Sequence, residues 1–128
     1  MERLFLVLAG INALIGVLLG AFGAHGLRNA LANAPEGLRR LEVWETAARY
    51  QLIHALALGL ITALLPRFTS PVLPFAGYLF QAGILLFSGS LYIVGFTGVR
   101  GFGAITPIGG LCFIAGWASV IVAALKET

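Results

Sequence analysis

The chain alternates long uncharged apolar runs with short segments that hold the charges and most of the prolines. The first run, Leu4 to Ala24, carries no charged residue and is about the 20 residues that a spanning helix needs. Within it Ala9, Ala13, Gly16, Gly20 and Gly23 recur at alternating four- and three-residue steps. That spacing makes one helix face of small residues, which lets another helix come close. On this ground the first helix is expected at the centre of the bundle. Asn12 stands beside the stripe, so it is expected to point inward and hydrogen-bond across helices. Gly23 to Gly26, Gly-Ala-His-Gly, predicts the end of the span, with a glycine at positive φ. The opening Met-Glu-Arg and the small residues near Gly20 also fit a cleaved leader, but the apolar run is longer than a leader needs and favours a retained helix.

Leu27, Ala30, Leu31 and Ala34 follow at helical spacing, which leaves room for a short interfacial helix between the first two spans. Ala34-Pro35 is a break. A second helix is expected from Glu36 to Leu65, amphipathic at first and membrane-embedded over about 47–65. Glu36 is in register with Arg39 and Arg40, and Glu45 with Arg49. Trp44 falls at the height of an interfacial aromatic. Phe68 to Pro74 reads as a turn. Leu73 to Val94 is the third span, Gly95 to Gly103 the next turn, and Ala104 to Leu125 the fourth span, with Thr106-Pro107 as a helix start. Lys126 and Glu127 are expected outside the lipid. The pattern predicts a single domain, all-α, an up-down four-transmembrane-helix bundle with spans at about 4–24, 47–65, 73–94 and 104–125.

Composition sharpens this into a membrane assignment. Charged residues make up 10% and hydrophobic residues 59% of the 128, and mean hydropathy is +0.98. Soluble domains carry about 25% charged residues, and a small domain has too little interior to hide so much apolar surface. The lipid bilayer is therefore a partner. The eight basic residues outnumber five acidic ones, but they are spread singly near the ends of apolar runs. That is the pattern of headgroup anchoring, not the basic stripe of a nucleic-acid binder. Arg28, Arg39, Arg40, Arg49 and Arg100 lie on the side of the first and third connections, and Arg3, Arg67 and Lys126 on the side of the termini. The positive-inside rule then places those loops in the cytoplasm and both termini outside it, in a bacterial cytoplasmic (inner) membrane. Cys112 is the single cysteine, so an intrachain disulfide and a cysteine metal cluster are excluded.

Polar side chains inside hydrocarbon are costly and are functional candidates by default. Tyr50, Gln51 and His54 stand together in the second helix, Ser88, Ser90 and Tyr92 in the third, Thr106 opens the fourth, and His25 ends the first. Tyr50, Gln51, His54, Ser88, Ser90, Thr106 and His25 are the candidate ligand-binding residues of a polar pocket in the loop-side half of the bundle. Asn12 and Gln81 lie at matching depth in the terminal-side half. The competing interpretation of His54 is a neutral imidazole that only ties helices together. Two histidines suggest haem or copper, but their depths differ by about two helical turns, and Met1 and Cys112 are the only sulfur residues. No metal or other cofactor is expected. The chain has no Asp, and Glu2, Glu36, Glu42, Glu45 and Glu127 all lie outside the deep spans, so no serine triad forms. Phosphate-loop spacings are missing as well, and no enzymatic activity is expected.

The blocks GAFGAHGL at Gly20 to Leu27, WETAARYQLIHALAL at Trp44 to Leu58, LFSGSLY at Leu86 to Tyr92, and TPIGG at Thr106 to Gly110 with Gly116-Trp117 beyond form a set in one order. Together they resemble the bacterial domain-of-unknown-function-423 family of small inner-membrane proteins, related to eukaryotic transmembrane protein 256. The resemblance covers essentially the whole chain. It implies a four-helix membrane protein and brings no activity, substrate or cofactor.

Two functions compete. One is binding of a small molecule or lipid in the polar pocket. The other is a structural or assembly subunit, with a second copy or another membrane protein as its partner. A cavity at His54 favours the first. A solid core there, with small-residue faces outside, favours the second.

Overall fold

The computed structural model describes residues 1–126 of the chain. It is all-helical, with four helices long and apolar enough to cross a membrane. They are α1 (Glu2–Ala30), α2 (Gly37–Leu64), α3 (Val72–Thr97) and α4 (Thr106–Lys126), the last preceded by a 3-10 turn at Arg100–Ala104. The predicted position of Glu127 lies outside the described residues. Glu36 and Arg100 pair across the two loops at one end. At the other end Phe68, in the turn after α2, packs beside Val120 and Ala123 of α4. The bundle is therefore up-down, with both termini opposite the first and third loops.

The helix ends follow local chemistry. Glu36 takes a left-handed φ of 55° after Pro35 and starts α2. Gly98, at φ 76°, ends α3. The glycines at Gly23 to Gly26 behave otherwise than expected. They do not stop α1 at positive φ; Gly23 has φ −61°. The helix runs through a π turn at Gly23–Leu27 and on to Ala30, so the extra turn extends α1 and is not a separate interfacial helix. Gly23 is needed for space: a Cβ there would lie 2.5 Å from Cδ1 of Trp44.

The central helix is α2, not α1. In its apolar window 44% of positions are buried, against 22% in α1. The small-residue face of α1 is real, with Ala9, Gly16 and Gly23 buried, but it meets mainly α2, and the rest of α1 faces lipid. Helix α4 lies along α3 in the same way. Leu6, Leu14, Leu56, Leu85 and Leu111 all point outward, as a lipid-facing surface requires.

Packing is organised by aromatic rings seated on glycines of the facing helix. Phe80 of α3 sits on Gly116 of α4, and Phe113 of α4 sits on Gly83 of α3. Added Cβ atoms would approach those rings to 2.6 Å and 2.4 Å. Phe5 of α1 likewise sits on Gly77 of α3, at 2.5 Å from the added Cβ. Helices attract one another in lipid by close contact and not by exclusion of water, so these seats are where association energy arises. Trp44 turns into the bundle. It is buried, its Nε1 donates to the Leu19 carbonyl at 2.7 Å, and its ring meets Tyr92 edge-on at 4.7 Å. A buried indole needs such an acceptor.

Candidate functional site

The polar residues do not converge on one pocket. Successive helical residues are separated by about 100°, so Gln51 leaves α2 on a different side from Tyr50 and His54. Gln51 enters the interface of α1, α2 and α3. Its Nε2 donates to the Asn12 carbonyl at 3.2 Å, and its Oε1 accepts from the Tyr92 hydroxyl at 2.6 Å. Asn12 Nδ2 donates to Gln81 Oε1 and to the Leu8 carbonyl, each at 2.8 Å. The inward turn expected of Asn12 is present. Depth counting places this pair apart from Gln51; the structure joins Asn12, Gln81, Gln51 and Tyr92 in one network.

The serines are engaged in helix contacts. Ser88 Oγ donates to the Ala47 carbonyl at 2.8 Å. Ser90 Oγ lies 2.6 Å from Thr106 Oγ1 and also donates to the Phe87 carbonyl at 3.0 Å. Ser88 ends a π turn at Ile84–Ser88. There α3 and α4 come so close that a Cβ on Gly109 would lie 2.2 Å from the Phe87 backbone nitrogen. His25 is exposed on the π turn of α1, and its side chain makes no hydrogen bond, ion pair or ring contact among the described residues. Buried side-chain polar atoms are all satisfied among the described residues.

His54 occupies a different environment. Its ring is buried and stacks on Phe113, with centroids 3.6 Å apart and planes within 9°. Nδ1 lies 2.8 Å from the Tyr50 carbonyl, and Nε2 lies 3.1 Å from Nε1 of Trp117. A carbonyl only accepts and an indole N–H only donates. The two partners therefore assign a neutral imidazole with its proton on Nδ1 and its Nε2 lone pair committed to Trp117. Both nitrogens are in use, so a metal or a proton would reach Nε2 only after Trp117 moves. No three His, Cys, Asp or Glu side chains converge among the described residues.

Tyr50, His54, Phe87, Phe113 and Trp117 line a groove of about 330 Å³ between α2, α3 and α4, with Ile114 and Gly110 on its rim. Tyr50 lies against Phe87 at 4.7 Å and near-parallel to His54 at 6.2 Å, joined by ring contacts and not through its hydroxyl. Trp117 and Ile114 are exposed, so the groove opens toward lipid. Among the candidate residues Tyr50 and His54 meet here. Thr106 lines a second groove of about 470 Å³ toward the loop end, with Phe87 as the shared wall. Gln51, Ser88 and Ser90 lie within helix contacts, and His25 stands apart.

Phe113 and Trp117 were missed as site residues. A signal for Trp117 existed: tryptophan prefers the membrane interface, so an indole in the middle of an apolar span needs an acceptor for its N–H. No signal in the sequence marked the π turn that places Phe87.

Comparison with known proteins agrees with this architecture. Residues 19–110 match the family model described as protein of unknown function (DUF423). A UPF0382 membrane protein of Staphylococcus aureus is 46% identical over 124 residues, covering 97% of each chain. The UPF0382 membrane protein YwdK of Bacillus subtilis is 44% identical over 125 residues, covering 97% of this chain and 98% of its own. No solved structure matches. The chain is a multi-pass integral membrane protein and belongs to the DUF423 family of proteins of unknown function.

Proposed function

We propose that the protein is a membrane-embedded binding protein for a small amphipathic or apolar molecule taken from the bilayer and held in the groove at His54. One observation carries this reading. A hydrogen-bonded imidazole and indole stand at the open edge of an apolar groove, where polar groups otherwise cost stability. A ligand entering beside Phe113 would displace the Trp117 indole and present its own hydroxyl or N–H to His54 Nε2. The groove's volume, about 330 Å³, matches the lower range of small-molecule sites. The excess of arginines on the loop side favours loops in the cytoplasm and both termini outside.

The test is native mass spectrometry of protein purified in mild detergent, for wild type, His54→Ala and Trp117→Phe. A small molecule retained by wild type and lost in His54→Ala, with helical content unchanged, supports the site. Wild type and variants that are equally empty and equally stable refute it.

A second reading has its own support. The complete satisfaction of the buried polar groups suits a structural or assembly subunit whose polar residues only lock the bundle. Crosslinking in the membrane that captures a specific protein partner or a second copy would favour that reading.

A further inference from the structure

At the loop end of α2, Arg39, Arg40 and Arg100 line one pocket together with the Glu36 carboxylate. Arg39 lies 3.6 Å from Glu36, and Arg100 pairs with the same carboxylate. Arg40 is held by backbone oxygens at the end of α3: its Nε donates to the Gly95 carbonyl at 3.1 Å and its Nη2 to the Phe96 carbonyl. Glu36 is the only acidic side chain lining the pockets at this end among the described residues. The cluster is therefore positive. Beneath it lies the groove of about 470 Å³, whose walls below Arg39 and Arg100 are Val43, Leu91 and Phe87, with Gly103 at its edge. Phe96, Val99 and Phe102 are exposed beside it, an apolar rim of the kind found at headgroup level.

We infer that this groove holds an anionic glycerophospholipid of the surrounding bilayer, its phosphate between Arg39 and Arg100 and one acyl chain along Val43, Leu91 and Phe87. Charge and shape agree on this occupant. Guanidinium groups bind phosphate by paired hydrogen bonds, basic pockets between membrane helices take anionic headgroups, and the wall below is apolar apart from Thr106. A zwitterionic lipid would leave the positive excess in place. The site shares only the Phe87 wall with the groove at His54, which neither arginine lines, and it stands whether or not that groove holds a ligand.

Full-length protein in detergent would be titrated with dioleoyl phosphatidylglycerol and, separately, with dioleoyl phosphatidylcholine, and bound lipid counted by native mass spectrometry. Wild type should prefer the anionic lipid. Each arginine near an anionic headgroup contributes about a fivefold factor, so Arg39→Gln with Arg100→Gln should lower its retention by about 25-fold and abolish the preference. Glu36→Gln, which removes the competing carboxylate, should strengthen retention. Gly103→Leu provides a test with the charges intact. Gly103 lines the groove and a Cβ there meets nothing within 4 Å, so a larger side chain starts without a backbone clash and should lower retention severalfold. Equal retention of the two lipids by wild type overturns the inference. So does full retention by Gly103→Leu, because the groove would then play no part.

Discussion

Adding one methyl group at Gly83 should destabilise the bundle and disturb the environment of His54 together. The added Cβ would lie 2.4 Å from both Cδ1 and Cε1 of Phe113. Phe113 has little room to retreat. Its other face carries the His54 ring at 3.6 Å, and its edge meets Phe87 at 5.4 Å. Overpacking of a tight site costs about 1–3 kcal/mol. For a chain of this size that is a fall of roughly 4–12 °C in the thermal midpoint. Gly59→Ala is the matched control, because its Cβ would meet nothing within 4 Å. Both substitutions carry the same helix-propensity gain, up to about 1 kcal/mol, so their difference isolates the clash. The assay is thermal unfolding in detergent followed by circular dichroism, with Trp117 fluorescence recorded in a Trp44→Phe background. Gly83→Ala should melt well below Gly59→Ala and shift the emission of Trp117. Phe113→Leu should restore stability to Gly83→Ala, with a coupling of about 1 kcal/mol or more. If Gly83→Ala melts with Gly59→Ala, the ring-on-glycine account of α3–α4 packing is wrong.

Outcomes are also expected for four further substitutions. Trp117→Phe keeps a ring in the groove wall but removes the indole donor to His54 Nε2, and should cost about 1 kcal/mol; nitrogen NMR of His54 should still find its proton on Nδ1, and a proton on Nε2 instead would contradict the assigned roles. Gln51→Leu removes both Gln51 bonds and leaves the half-buried Tyr92 hydroxyl without its acceptor, for a loss of about 1–3 kcal/mol. Ser88→Ala should cost less, about 0.6 kcal/mol, because the Ala47 carbonyl keeps its helical partner, so denaturant midpoints that rank these two variants the other way would refute the network. Gly23→Ala, whose Cβ would lie 2.5 Å from the Trp44 ring, should loosen the α1–α2 contact and red-shift Trp44 emission, which a Trp117→Phe background isolates.

The sequence by itself determined the class, the number of membrane helices and their main breaks. These are local facts. An uncharged run of some 20 residues has one stable form in hydrocarbon, and Pro35 and Thr106-Pro107 act on the backbone next to them. It also placed Asn12 and Gln81 at one depth, where they meet at 2.8 Å. The tertiary structure decided which face of each helix turns inward, and with it the fate of every polar candidate. It made α2 the central helix, sent Gln51 to Asn12 and Tyr92, and left His54 between Phe113 and Trp117. It also buried the Trp44 ring on Gly23. Glu45 pairs with Arg28 of α1 at 3.5 Å and not with Arg49, a choice between partners that helical spacing alone cannot make. The physical reason is shared by all of these. In water, the apolar face of a helix marks the core. In a bilayer the lipid is as apolar as the interior, so hydrophobic periodicity loses its direction. What then selects the inward face is the fit of particular rings onto particular glycines and the completion of hydrogen bonds between helices, and both exist only once the helices have met.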